Sequence, residues 1–189
     1  MSVSELVLAS GSPRRKELLQ LLDRPFTVVQ PDVPEQRFEQ EAPADYVQRL
    51  ALSKARAGAT MVGAQCTVLG ADTIVVFTDN VLEKPRDYAD YVRMMRQLSG
   101  HTHHVMTAVA AVKGGQEECI LSGAEVSFKA LTEAEIEQYW HTKEPIDKAG
   151  GYGIQGRAAK FVTGIVGSYW AVVGLPIYET EQLIQTIEG

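Results

Sequence analysis

Asp72 sits in the middle of CTVLGADTIVVF, Cys66 to Phe77, where nearly every other residue is apolar or small. Val68, Ile74, Val75 and Val76 are β-branched, the pattern of a strand buried on both faces of a sheet. An unpaired carboxylate there is expensive or stays protonated, so Asp72 requires a cation, a donor network or solvent. Alternation puts Val68, Gly70, Asp72, Ile74 and Val76 on one face. Gly70 would then leave an empty place beside the carboxylate, open to a ligand or a metal. On the strand alone, an aspartate capping a neighbouring turn explains the residue equally well.

Basic side chains that could meet an anion lie at three places. Ser10-Gly11-Ser12-Pro13 follows a short strand, Leu6 to Ala9, and turns into a helix with Ser12 as N-cap and Pro13 in its first position. Arg15 falls within that helix's apolar stripe of Leu18, Leu19, Leu21 and Leu22. Backbone N–H groups, the positive dipole end and an inward guanidinium together make a phosphate site. A surface helix with basic residues at a capped start has the same sequence. Lys54 continues the stripe of Val47, Leu50 and Ala51 on a helix from Pro43 to about Met61, which aims it at the interior or a cleft. Without other observations, a snorkelling lysine is the better reading. Lys84 follows the turn Thr78-Asp79-Asn80. A three-residue loop with Asn80 left-handed puts it opposite Ile74, on Asp72's side, and a two-residue loop puts it on the other. The three-residue loop is the expectation. Glu35 lies in a polar stretch, Pro31 to Ala42, that reads as a solvated loop.

The elements that must position these residues alternate. Strands are expected at Leu6–Ala9, Phe26–Gln30, Cys66–Phe77, Val81–Lys84, Val105–Lys113 and Ile120–Ala130, with a Gly114-Gly115 turn joining the last two. Asp87 to Leu98 reads as a helix, and Thr132 with Glu135 as a capping box. Four glycines in DKAGGYGIQG, Asp147 to Gly156, suggest a backbone that something approaches closely. Phe161–Tyr169 and Trp170–Val173 read as a hairpin, and Ile177–Ile187 as a final helix. Strands alternating with helices, plus hairpins, indicate an α/β fold around a mixed sheet. His101, His103 and His104 precede a strand with no fourth ligand in sight, so solvent exposure rather than a zinc site is expected.

The 189 residues suffice for one sizeable core, and a net charge of −6 argues against nucleic acid or an anionic membrane as partner. No apolar run approaches a membrane helix, and Met1–Ser10 lacks the basic flank of a signal peptide. Cys66 and Cys119 stand in no metal or redox spacing and read as reduced, half-buried thiols of a cytoplasmic protein.

SGSPRRKELL, GADTIVV with EKPRD, LSGHTHHVMTAVA, DKAGGYGIQG and GSYWAVVGLP occur in one order over nearly the whole chain. Together they resemble the Maf family of nucleotide pyrophosphatases, also called septum formation inhibitors, and the GIQG segment is similar to the branch acting on dTTP and UTP. The resemblance implies a Maf/ITPase-like α/β fold: one domain over residues 1–189, a mixed twisted sheet with flanking helices, and two lobes around a central cleft. It implies a house-cleaning hydrolase that converts dTTP, UTP or modified pyrimidine nucleotides to monophosphate and pyrophosphate. Asp72 would be the proton acceptor, with Glu35 and Lys84 beside it in catalysis. Arg15, Thr73 and Gln155 match positions of substrate selection, Lys54 matches a further cleft lysine, and Ser10 and Ser12 belong to the phosphate-binding turn. Glu35 and Asp72 would hold a divalent cation, Mg²⁺ or Mn²⁺, and the protein would be a homodimer. The Gln155 amide offers a donor and an acceptor that match uracil or thymine, provided its neighbours fix it. Alternatives are a pyrophosphatase for non-standard purine or 7-methylguanosine nucleotides, and a nucleotide sensor of cell division without turnover.

Overall fold

Small residues let helix and sheet backbones approach closely in the computed structural model, which describes residues 5–189. The reading of Met1–Ser10 as no signal peptide lies partly outside them. The strands are β1 (Leu6–Ala9), β2 (Phe26–Val29), β3 (Thr67–Phe77), β4 (Asn80–Leu82), β5 (Thr102–Lys113), β6 (Gln116–Phe128) and β7 (Val162–Gly167). The helices are α1 (Pro13–Gln20), α2 (Pro43–Val62), α3 (Tyr88–Leu98), α4 (Glu133–His141), α5 (Tyr169–Val173) and α6 (Ile177–Glu188). Strands pair in the order β2-β1-β3-β5-β6-β7, and β4 pairs with β3. β1 runs parallel to both β2 and β3, whereas β4 on β3 and β7 on β6 are antiparallel. The sheet is mixed, as the alternation of strands and helices predicts.

The chain forms two compact units. The first contains the chain up to Asp72, Thr107–Ser122 and Gly174–Gly189. Its parallel strands β2-β1-β3 carry Val7, Ala9 and Val68, packed with Val29, Ala59, Val62 and Cys66. Gly58 of α2 makes this packing possible, since a Cβ there would fall 2.7 Å from the Ala9 Cβ and 2.9 Å from Val68 Cγ1. Leu183, Ile184 and Ile187 bury one face of α6. Arg24 anchors that helix through Glu181 at 2.8 Å and Glu188 at 3.1 Å.

The second unit holds Thr73–Met106 and Gly123–Val173. Its core is aromatic: Tyr91, Tyr139, Phe161, Phe128, Tyr152 and His103 are all buried. The Thr132–Glu135 capping box forms as predicted.

Three expectations fail here. His103 is 1% exposed, with Nε2 at 2.7 Å from the Tyr152 hydroxyl and edge contacts to Phe128 and Tyr152. Alternation along β5 buries it while its neighbour His104 is exposed, and His101, also exposed, precedes the strand. The Phe161–Val173 hairpin is instead strand β7 followed by helix α5. Gly167 leaves the strand at φ 118°, and Ser168 caps the helix, its Oγ accepting from the Ala171 N–H at 3.2 Å. The β3–β4 turn has two residues, Thr78-Asp79, because Phe77 pairs with Asn80 and Val76 with Val81. Thr78, not Asn80, takes the left-handed backbone, at φ 55°.

Candidate active site

In the first unit, β1 delivers the chain to Ser10, whose buried hydroxyl accepts from the Ser12 N–H at 3.2 Å. Ser12 caps α1, its Oγ accepting from the Arg15 N–H at 3.5 Å. Pro13 in the first turn has no N–H to satisfy. The Arg15 guanidinium lies across this turn. Its Nε donates to the Gly174 carbonyl at 2.9 Å, and Nη1 lies 3.5 Å from Ser10 Oγ. Burial pushes the Arg15 pKa below its usual value, Asp72 and Glu35 oppose that, and Arg14 adds to it. A guanidinium stays charged through such a shift. Its plane is therefore fixed by protein acceptors before any anion arrives.

Lys54, Glu35 and Asp72 form the other half of the arrangement. Lys54 Nζ lies 2.6 Å from Glu35 Oε1 and 2.7 Å from Asp72 Oδ1. The Lys54 and Asp72 side chains are 13% and 12% exposed, against 46% for Glu35, so the inner pair is shielded and the outer carboxylate is open to solvent. This replaces the snorkelling reading of Lys54. It also identifies a cation that offsets the buried Asp72, which by its place in the strand requires a cation, a donor network or solvent.

Gly70 does not leave an empty place beside Asp72. A Cβ there would collide with the Ala51 carbonyl and the Ala55 N–H of α2. The missing side chain admits the helix backbone, and the helix brings Lys54 to the strand. Glu35 likewise sits on a tethered segment rather than a loose loop. The Tyr46 hydroxyl of α2 donates to the Glu35 carbonyl at 2.8 Å. Arg49, from the same helix, holds the Gln36 carbonyl at 3.0 Å and Glu41 Oε2 at 2.8 Å, with its guanidinium 3.9 Å over the Phe38 ring. Sequence reasoning missed Tyr46, Arg49 and Gly174 as supports. Tyr46 and Arg49 could have been found as an aromatic and an arginine three residues apart on the helix that follows the segment; a carbonyl acceptor such as that of Gly174 leaves no signal in sequence.

Two carboxylates that reach one ammonium can also face one divalent cation. Mg²⁺ commonly binds through one or two carboxylates and completes its shell with phosphates and water. Among the described residues no group of three or more His, Cys, Asp or Glu side chains converges as a metal cage. Glu35 and Asp72 thus fit a cation shared with a phosphate-bearing ligand.

Thr73, Lys84 and Gln155 belong to the second unit. Thr73 follows Asp72 on β3 and points to the other face of the strand. Lys84 is exposed and lies beyond β4, which ends at Leu82. Continuing the observed register would set it opposite Thr73 rather than Ile74. Gln155 is exposed in the Gly153–Gly156 turn, closed by the Gly156 N–H on the Gly153 carbonyl at 3.1 Å.

No helix among the described residues is long and apolar enough to cross a membrane. The Maf-like protein model matches residues 5–187. A dTTP/UTP pyrophosphatase from Vibrio cholerae is 56% identical over 97% of this chain and 98% of its own length. Another, from Saccharophagus degradans, is 52% identical over 98% of this chain and 90% of its own. A solved structure, the Staphylococcus aureus Ham1 protein, is 14% identical over 66% of this chain and 72% of its own, with a TM-score of 0.48. On the family match and these near-full-length similarities, the chain belongs to the Maf family.

Proposed function

We propose that this protein hydrolyses dTTP and UTP to the monophosphate and pyrophosphate. The observation that carries the reading is the Glu35–Lys54–Asp72 cluster beside a pre-oriented Arg15. A nucleoside triphosphate brings several negative charges. Arg15 and the start of α1 hold phosphate oxygens, with Lys54 and Lys84 supplying further positive charge. Asp72, with the Lys54 ammonium 2.7 Å away, accepts a proton from the water that attacks the α-phosphorus, and pyrophosphate leaves. Glu35 orients that water from the solvent side. Thr73 and Gln155 select the nucleotide, Gln155 through the N3–H and O4 edge of the base. Glu35 and Asp72 would hold a divalent cation, which when bound offsets phosphate charge during cleavage. The reading extends to a homodimer in the cytoplasm, where Cys66 and Cys119 stay reduced.

The test is pyrophosphate release from a panel of pure nucleotides with Mg²⁺, compared by kcat/KM. Highest efficiency on dTTP and UTP is the expected result. A preference for 7-methyl-GTP or a non-standard purine nucleotide would replace the substrate assignment. Binding with no pyrophosphate from any nucleotide would replace the enzyme with a sensor.

A further inference from the structure

The Gln155 amide can discriminate between bases only if the backbone that carries it is held in place, and the second unit contains a frame that holds that backbone. Gln155 stands at the tip of the turn Gly153-Ile154-Gln155-Gly156, with Ile154 buried beneath it. Both ends of this turn are tied to one side-chain pair. At one end the Gly153 N–H donates to the Tyr139 hydroxyl at 3.0 Å. At the other, the Arg157 N–H donates to the Glu144 carboxylate, 3.1 Å from each oxygen. The pair is itself joined, for the Tyr139 hydroxyl donates to Glu144 Oε1 at 3.0 Å. Burial raises the Tyr139 pKa, which keeps that proton in place. Lys148 Nζ closes the frame on the Glu144 carbonyl at 2.8 Å. Gly156 completes the fit, because a Cβ there would overlap the Glu144 carboxylate. We propose that Glu144, with Tyr139, is the positioning residue that sets Gln155 for base selection.

This inference rests on Gln155 reading the base, so the experiment separates the two. The ratio of UTP to CTP kcat/KM is measured for wild type, Gln155→Ala, Glu144→Ala, Glu144→Gln, Tyr139→Phe and the Glu144→Ala/Gln155→Ala double variant, each with a thermal melt. Glu144→Ala should lower the ratio roughly 3- to 10-fold, the range set by loss of a single hydrogen bond. Glu144→Gln should recover part of it, since an amide oxygen can still accept at Oε1. In the double variant, Glu144→Ala should add nothing to the effect of Gln155→Ala. If Glu144→Ala is unfolded, Tyr139→Phe, which removes one hydroxyl, carries the same expectation. A ratio that collapses in Gln155→Ala but is unchanged in the folded Glu144 and Tyr139 variants overturns the positioning role alone. An unchanged ratio in Gln155→Ala overturns base reading by Gln155, and the positioning role with it.

Discussion

Lys54 reaches Asp72 at 2.7 Å because Gly70, two residues earlier on the same face of β3, lets the α2 backbone lie against the strand. A buried pair of this kind is maintained by helix-to-strand spacing more than by its own attraction, since desolvation offsets much of the Coulomb gain. Gly70→Ala should therefore lower both stability and activity. Overpacking against backbone atoms, which cannot rotate away, costs about 1–3 kcal/mol. A urea unfolding midpoint within error of wild type, together with normal turnover, would show that the close approach is not needed.

Arg15 presents its guanidinium with Nε already committed to the Gly174 carbonyl and Nη1 near Ser10. A lysine keeps the charge, but its single ammonium cannot satisfy Gly174 and grip a phosphate in a planar fork. Arg15→Lys should lose roughly tenfold or more in kcat/KM, a charge-assisted bidentate contact being the stronger kind. Unchanged kcat/KM would remove Arg15 from phosphate binding.

His103 makes stability depend on pH. Its pKa is lowered to about 4, first by burial and then by the neighbouring His104 charge. The unfolded chain takes up the proton near 6.5, so between those values it binds more protons than the folded state. The contribution of neutral His103 is complete above pH 6.5 and is lost as pH falls towards 4, about 3 kcal/mol in all. His103→Gln, which keeps a polar group for Tyr152 and does not titrate, should show a shallower fall in urea-unfolding stability from pH 7 to 4.5. Equal slopes for the two proteins would place the proton uptake on other groups.

What could be read in the sequence was whatever a local pattern determines. Asp72 in an apolar strand, the Ser12 cap with Pro13, and Lys54 at helical spacing after Ala51 all lie where composition and period put them. What could not be read depends on a partner distant in the chain. Gly70 looks like a vacancy from its own strand, because nothing in β3 announces that α2 will fill it. Tyr169–Val173 is apolar and β-prone by composition, and only the Ser168 cap distinguishes a helix there. Lys84 hung on whether Thr78 or Asn80 would turn left-handed. Asparagine has the better intrinsic tolerance, but the strand register selects Thr78, whose hydroxyl donates to the Phe77 carbonyl at 2.6 Å.

Asp72→Asn separates chemistry from architecture. The amide keeps the size and shape of the carboxylate and removes its charge and proton-accepting power. Lys54 would lose its inner partner but keep Glu35, 2.6 Å away, so its ammonium is not stranded. Burying an amide is cheaper than burying a carboxylate, which makes stability little changed or slightly higher. Nucleotide binding should persist, because Arg15 and the α1 turn are untouched. Turnover should fall by roughly 100- to 10,000-fold, the usual range for losing general-base help, and further if a metal ligand is lost with it. The measurement is pyrophosphate release at saturating dTTP, paired with thermal melts with and without nucleotide. Near-normal turnover would end the catalytic assignment. Lost turnover with a collapsed melting temperature would make Asp72 a structural partner of Lys54 instead.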